Sequence, residues 1–100
     1  MKKGGFVYIL TNPLHSVLYT GVTSDLISRM QQHIYKYYPD CFTAKYNTTI
    51  LVYYQFYSTI NEAILEEKRI KAGSRQQKIL LINSMNPIWD DLWKKEVSFW

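Results

Sequence analysis

Two short runs of apolar residues near the start of the chain, Phe6-Val7-Tyr8-Ile9-Leu10 and Val17-Leu18-Tyr19-Thr20-Gly21-Val22, are rich in β-branched and aromatic side chains and predict strands. Between them Thr11-Asn12-Pro13-Leu14-His15-Ser16 is polar and carries a proline, so the pair reads as a β-hairpin with a longer loop. Side chains alternate along a strand, which places Tyr8 with Phe6 and Leu10, and Tyr19 with Val17 and Gly21. With the right register the two phenols come close on one face of the sheet.

From Thr23 the period changes. Thr23-Ser24-Asp25 offers a hydroxyl at a helix N-cap and an acid in the first turn, where the helix dipole favours it. Leu26, Ile27, Met30 and Ile34 recur at helical spacing, and Pro39 is expected to stop the helix after Lys36-Tyr37-Tyr38. Arg29 and His33, four residues apart, share one face of that helix. Residues 40–47 read as a loop, and Thr48–Tyr57 (TTILVYYQFY) is the strongest strand signal of the chain. Thr59-x-x-Glu62 predicts a capping box for a helix to about Ala72, where Gly73 breaks it; Ser74-x-x-Gln77 caps a third helix through Ser84. The tail from Met85 to Trp93 is expected to pack by its tryptophans. The order β-β-α-β-α-α predicts a small α/β sandwich, a three-stranded and largely antiparallel sheet flanked by helices.

One hundred residues, 47% of them apolar, predict a single domain over 1–100, its core at about 5–93 with a short C-terminal tail. A lone cysteine, Cys41, leaves no intramolecular disulfide, and with only His15 and His33 beside it a four-ligand zinc site is not expected. The apolar run after Lys2 and Lys3 ends at Asn12-Pro13, short of a signal peptide, and nothing reaches transmembrane length. A cytoplasmic, reduced protein with no membrane partner is the expectation. The net charge of +4 is unevenly spread: Lys68, Arg69, Lys71, Arg75 and Lys78 form a run without an acid among them. Such a run suits a polyanion, or is the solvated face of a helix.

Two strand phenols, a guanidinium, an imidazole and one carboxylate, Glu67, make a set suited to attacking a phosphodiester. In order and spacing these residues resemble the GIY-YIG nuclease domain, in particular its small stand-alone bacterial group, the URI-domain proteins akin to excision-repair nucleases. Val7-Tyr8-Ile9 stands where that family has Gly-Ile-Tyr, and Tyr19-Thr20-Gly21 where it has Tyr-Ile-Gly. Arg29 and His33 match the Arg-x-x-x-His helix, Phe42-Thr43-x-Lys45-Tyr46-Asn47 the following loop, Ala63-x-x-x-Glu67-Lys68 the acidic helix, and Asn86-Pro87-x-Trp89 the closing motif. The departures are also specific. The first glycine and isoleucine are absent, Thr20 replaces the middle isoleucine, no lysine closely follows Gly21, and Cys41 and Gly73 replace a small residue and a tryptophan.

The resemblance implies a metal-dependent endonuclease acting on DNA, structure-directed or weakly specific, with DNA repair as its setting and RNA left open as substrate. It implies one divalent ion, Mg²⁺ with Mn²⁺ able to substitute, held by Glu67; otherwise Glu67 simply pairs with Lys71. Mg²⁺ commonly takes only one or two carboxylates and keeps several waters, so a single Glu suffices chemically. Arg29 would fork onto phosphate oxygens or pair with Asp25. His33 would share a proton or be a satisfied half-buried histidine. Tyr8 and Tyr19 both qualify for the base role, Tyr19 being favoured to orient the water with Tyr8 in support. Gly21, Lys45, Arg75 and Lys78 are candidate substrate contacts. Asn86 either orients the scissile strand or caps the tail before Pro87. The alternative is a nucleic-acid-binding module of the same fold with little turnover, favoured by the modest charge, the missing lysine and the lack of an appended recognition domain. A weaker option is a protein-interaction domain using an exposed Phe99-Trp100 end. A homodimer would give each DNA strand its own site, though nothing in the sequence requires one.

Overall fold

A strand in the middle of a sheet is covered on both faces, so neither its odd nor its even positions stay polar. Gly5–Thr11 has that composition. In the computed structural model, which describes residues 4–100, it forms the central strand β1. The strands β2 (Leu18–Thr23) and β3 (Ile50–Tyr57) flank it in the order β2-β1-β3, both antiparallel to it. Lys2 and Lys3 lie outside the described residues. The helices are α1 (Leu26–Ile34), the one-turn α2 (Phe42–Lys45), α3 (Ile60–Ala72), α4 (Arg75–Met85) and α5 (Leu92–Lys95), followed by a 3-10 turn at Val97–Phe99. None is long and apolar enough to cross a membrane.

Each face of β1 has its own core. Val7 and Ile9 pack with Val52, Ala63, Ile70 and Ile82 beneath α3 and α4. Tyr8 and Leu10 pack with Leu26, Met30, Leu51 and Leu92 beneath α1 and α5. The sheet is therefore sandwiched between helical layers, as the element order predicts.

Several boundaries differ from the sequence reading. The N-cap of α1 is Asp25, whose carboxylate accepts from Ser28 N at 3.1 Å, while the Thr23 hydroxyl accepts from Asp25 N; the acid caps and the hydroxyl supports. The same helix ends at Ile34 rather than at Tyr38. Lys36 takes a left-handed φ of 54°, Tyr37 N–H reaches Gln32 O at 3.0 Å and Lys36 N–H reaches His33 O at 3.3 Å. This pair of bonds is a Schellman closure with lysine where glycine is usual, so the helix closes before Pro39 has any effect. The expected loop at 40–47 contains α2. The third strand starts at Ile50 because the Thr48 backbone N–H and hydroxyl both bond Thr43 O at the end of that turn.

The outer edge of β3 is closed by the C-terminal segment. Between Ile9 and Leu10 the pairing skips a residue, leaving Val52 as a bulge. Asn86 donates through Nδ2 to Val52 O at 3.1 Å and to Asp90 O at 2.9 Å, and its Oδ1 accepts from Asp90 N at 3.0 Å. Asp91 accepts from Leu51 N. Two of the edge strand's outward backbone groups, at Leu51 and Val52, are thus covered. The extreme end packs back in part: Val97 is buried, and the Trp100 ring sits 5.7 Å from Phe6 and 5.4 Å from Tyr54 while staying more than half exposed, with Phe99 turned outward.

Thr20 stands where an isoleucine was expected, and its hydroxyl is the buried side-chain polar atom without a partner among the described residues. An orphaned buried hydroxyl costs about 1–3 kcal/mol. Thr20→Val, of matching shape, is expected to stabilise the protein by about 1 kcal/mol, or roughly 4–8 °C in Tm by calorimetry. An unchanged or lower Tm would show that the hydroxyl is satisfied in solution.

Candidate active site

The site begins with a packing problem on the central strand. Tyr8 faces Gly21 across the β1–β2 pair and is almost fully buried, at 1% exposure. A Cβ on Gly21 would lie 2.4 Å from both the ring and the hydroxyl of Tyr8. Gly21 has no positive φ, so it is the space that requires glycine there. It was expected to contact substrate; instead it is buried under the Tyr8 ring.

Tyr19 is the register partner of Leu10, two residues from Gly21, so both phenols lie on the α1 face with ring centroids 6.4 Å apart. The turn of α1 then delivers two polar groups to the buried Tyr8 hydroxyl. Arg29 Nε donates to it at 3.4 Å, and His33 Nε2 lies 3.0 Å away. The Asp25 partner that the sequence allowed for Arg29 is not used: Nη1 donates to Gln32 Oε1 at 2.7 Å. Since the phenol oxygen accepts from Arg29, its proton points to His33 Nε2, the acceptor within reach. That assignment puts the imidazole proton on Nδ1, which lies 2.9 Å from Thr43 Oγ1. Thr43, accepting there, is free to donate to Cys41 Sγ at 3.2 Å. A single file of hydrogen bonds runs from Arg29 to Cys41.

Burial raises the Tyr8 phenol to about 12, with the Arg29 hydrogen bond acting against it and the charges of Tyr19 and Glu67 adding to it. Burial, aided by the Arg29 charge, lowers His33 to about 4. Near neutrality, then, Tyr8 is a phenol and His33 a neutral imidazole. Desolvation opposes the Arg29 charge, but its contacts with Tyr8 and Tyr19 outweigh that and raise its pKa further. Hydrogen bonds from Thr43 and the Ala44 backbone lower the Cys41 thiol.

This cluster opens on a small cavity of about 90 Å³ lined by Tyr19, Arg29, His33, Cys41, Phe42 and Thr43. Tyr19 is half-buried there, its ring stacked on Phe42 at 6.0 Å and 5.8 Å from His33. Lys71 of α3 holds its ammonium 5.9 Å from the Tyr19 ring centroid and 2.9 Å from Glu67 Oε2. Glu67 is 7% exposed, and its Oε1 takes no hydrogen bond among the described residues. Those residues contain no group of three His, Cys, Asp or Glu that would hold a metal together. What remains is one buried carboxylate with a free oxygen. That donor set does not suit an ion enclosed by nitrogen and sulfur, and it does fit a hard divalent ion that keeps waters and shares a phosphate.

The structure brings Tyr8, Tyr19, Arg29 and His33 together, and Glu67 adjoins them through Lys71, whose ammonium lies near the Tyr19 ring. Lys45 is exposed at the end of α2, the turn that supplies Phe42 and Thr43. Arg75 and Lys78 lie elsewhere, at the corner between α3 and α4. Arg75 donates to His15 O, and Lys78 donates to Gly73 O at 2.8 Å, so both are used to hold backbone. Asn86 is likewise used, as the tail lock described above. Two participants were not assigned to the site from sequence: Thr43, inside the Phe42–Asn47 motif, and Lys71, noted only in the basic run and as a partner for Glu67. The Glu67-x-x-x-Lys71 spacing was the available signal for the second; a threonine in a loop gave none for the first.

The family model described as the GIY-YIG catalytic domain matches residues 4–79. Among solved structures, the chain is similar to the solution NMR structure of the UPF0213 protein BH0048 from Bacillus halodurans. The identity is 26% and the TM-score 0.57, over 93% of this chain and 97% of that one. No curated protein matches it.

Two outcomes follow from the geometry. Gly21→Ala drives a methyl into the Tyr8 ring and is expected to destabilise by about 1–3 kcal/mol, read as a lower denaturation midpoint; an unperturbed midpoint would show that Tyr8 moves freely. His33 has a folded pKa of about 4 against an ordinary 6.5, so the unfolded chain binds the extra proton between those values. The stability it supplies is complete above about pH 6.5 and is lost progressively down to pH 4. Between pH 7.5 and 5 the wild type is expected to lose about 2 kcal/mol more than His33→Gln. Parallel melting curves across that range would show that the imidazole is not held neutral.

Proposed function

The chain belongs to the GIY-YIG catalytic-domain family, a nuclease fold, and we propose that it is a metal-dependent DNA endonuclease worked by Tyr19, Arg29, His33 and Glu67 with Tyr8 in support. The observation that supports this most is the hydrogen-bonded cluster of Arg29, Tyr8 and His33 behind a cavity that exposes Tyr19. Each group has a task that its surroundings suit. Arg29 is a fixed cation whose Nε and Nη1 are already oriented by Tyr8 and Gln32, so its remaining donors face a phosphate at the cavity with little entropy to lose.

Burial pushes the Tyr8 phenol up to about 12, so it stays protonated near neutrality and has no free phenolate to accept a proton. Its role is to hold Arg29 and His33 in place. Tyr19 is the phenol at the cavity, and it orients the attacking water. His33, neutral with Nε2 turned to Tyr8, stabilises that arrangement without adding a second positive charge. Glu67, with Mg²⁺ bound, supplies the means to neutralise charge on the phosphoryl group and on the leaving 3′-oxygen. Lys71 steadies the carboxylate meanwhile. The enzyme acts in the cytoplasm, with DNA repair as its setting.

Glu67→Gln keeps the shape and removes the charge that a divalent ion needs. Nicking of supercoiled plasmid by the wild type with Mg²⁺ or Mn²⁺, absent in EDTA, is expected to fall at least a hundredfold in Glu67→Gln while DNA binding persists. Cleavage that survives the substitution sinks the assignment of Glu67. A wild type that binds DNA and cuts neither plasmid, branched nor single-stranded substrate supports the binding-module reading instead.

A further inference from the structure

The exposed large apolar side chains of this protein fall into two kinds. Outside residues 35–46 they are the aliphatic Leu14, Leu65, Leu80, Met85 and Ile88, with Phe99 and Trp100 at the C-terminal end. Between residues 35 and 46 they are all aromatic: Tyr35, Tyr37, Tyr38, Phe42 and Tyr46 are each between 45% and 68% exposed. Twelve residues thus present five rings to solvent, whereas the tyrosines elsewhere in the chain, Tyr8, Tyr19, Tyr53, Tyr54 and Tyr57, are buried or half-buried. The rings are also paired. Tyr35 and Tyr37 stack at 6.4 Å and 27°, and Phe42 lies 4.7 Å from Tyr46.

The segment joins the cavity directly. Phe42 lines it and stacks on Tyr19 at 6.0 Å, so Tyr46, Phe42 and Tyr19 make a run of rings that ends at the candidate reacting centre. Two cations lie in the segment, Lys36 and Lys45, against one acid, Asp40. Lys36 is lifted from the helix end by its left-handed backbone.

We infer that residues 35–46 form a base-stacking platform, and that the preferred substrate is single-stranded or locally unpaired DNA lying across it into the cavity. The inference builds on the nuclease reading of that cavity and names its substrate class. Every base offers a face to stack on an aromatic ring, but only when it is not already stacked within a duplex. Two interspersed lysines suffice to follow a flexible single strand, whereas a rigid duplex is gripped by many phosphate contacts. Tyrosine also fits this surface better than leucine would, since its hydroxyl keeps an exposed ring soluble while the face remains available. The partner of stated chemistry is therefore an unpaired strand, with rings for its bases and lysines for its phosphates.

The test measures binding apart from cleavage. Glu67→Gln protein would be titrated against a fluorescein-labelled dT20 strand and a blunt 20-base-pair duplex, by anisotropy in EDTA. The expected result is at least tenfold tighter binding of the strand. Tyr37→Leu and Tyr46→Leu keep apolar bulk and remove the π-face; each is expected to weaken strand binding roughly tenfold while leaving duplex binding unchanged. Tyr46→Trp is expected to retain strand binding. Equal affinity for strand and duplex, or leucine variants that bind dT20 as well as the parent, overturns the inference. So does sedimentation showing that the free protein self-associates and that the leucine changes abolish it, which makes the patch a protein interface. The outcome separates from that of the plasmid assay: ring-dependent strand binding without any cleavage upholds the platform and fails the nuclease, and Glu67-dependent nicking with ring-independent binding does the reverse.

Discussion

A buried hydroxyl on the central strand governs this molecule. Tyr8 is packed on all sides, and the cost of leaving its hydroxyl unpaired is about 1–3 kcal/mol. Its partners, Arg29 and His33, both come from α1. Satisfying Tyr8 therefore fixes how α1 is rotated over the sheet, because only one face of a helix carries positions 29 and 33 together. The same ring removes the side chain at Gly21 and so binds β1 to β2 in one register. A slip of one residue would put Tyr19 on the α3 face, away from His33 and Phe42. Packing and site geometry are one constraint.

The electrostatics of the site follow from the same burial. The cavity has a permanent cation in Arg29, with a second, Lys71, beside it near the Tyr19 ring, while His33 is held neutral. Glu67 is the one carboxylate among them, and a carboxylate 7% exposed needs a compensating charge. Lys71 supplies it from the next turn of α3, with its own head 55% exposed, and so can swing aside at little cost. Charge elsewhere tells less than its abundance suggests. Of the basic run on α3 and α4, Arg69 is paired with Glu66, while Arg75 and Lys78 hold carbonyl groups. A cluster of cations in sequence is thus partly a set of helix and loop fastenings.

What could be read from the sequence was what local pattern decides. The strands and the starts of α3 and α4 followed from alternation and from Thr59 and Ser74 as caps, interactions that span three or four residues. The residues of the candidate site could be picked out because Tyr8, Tyr19, Arg29, His33 and Glu67 fall at spacings tied to their elements. The misses share a different cause. Helix α1 closes through Lys36 in a conformation that lysine adopts at a cost, which no residue preference announces. Thr43 matters because it meets His33 across ten residues, and Asn86 because it meets a bulge 34 residues away. A hydrogen bond of that range leaves no local mark on composition.

The size of the cavity limits what it can recognise. About 90 Å³ is well below the roughly 300–1,000 Å³ of pockets that enclose a small molecule, and it is walled by Arg29, His33 and two aromatic rings. A phosphate group and water fit such a space, and a nucleoside does not. On the nuclease reading proposed above, such a site contacts a phosphodiester and not the base attached to it. Any preference for one nucleic acid over another must arise outside the cavity, from surface that the flanking nucleotides cross. The core fastened by Tyr8 is set by packing that no substrate touches; the segment from Tyr35 to Tyr46, held to α1 at its start and to the cavity through Phe42 and Thr43, presents its rings outward, and that is where discrimination has room to reside.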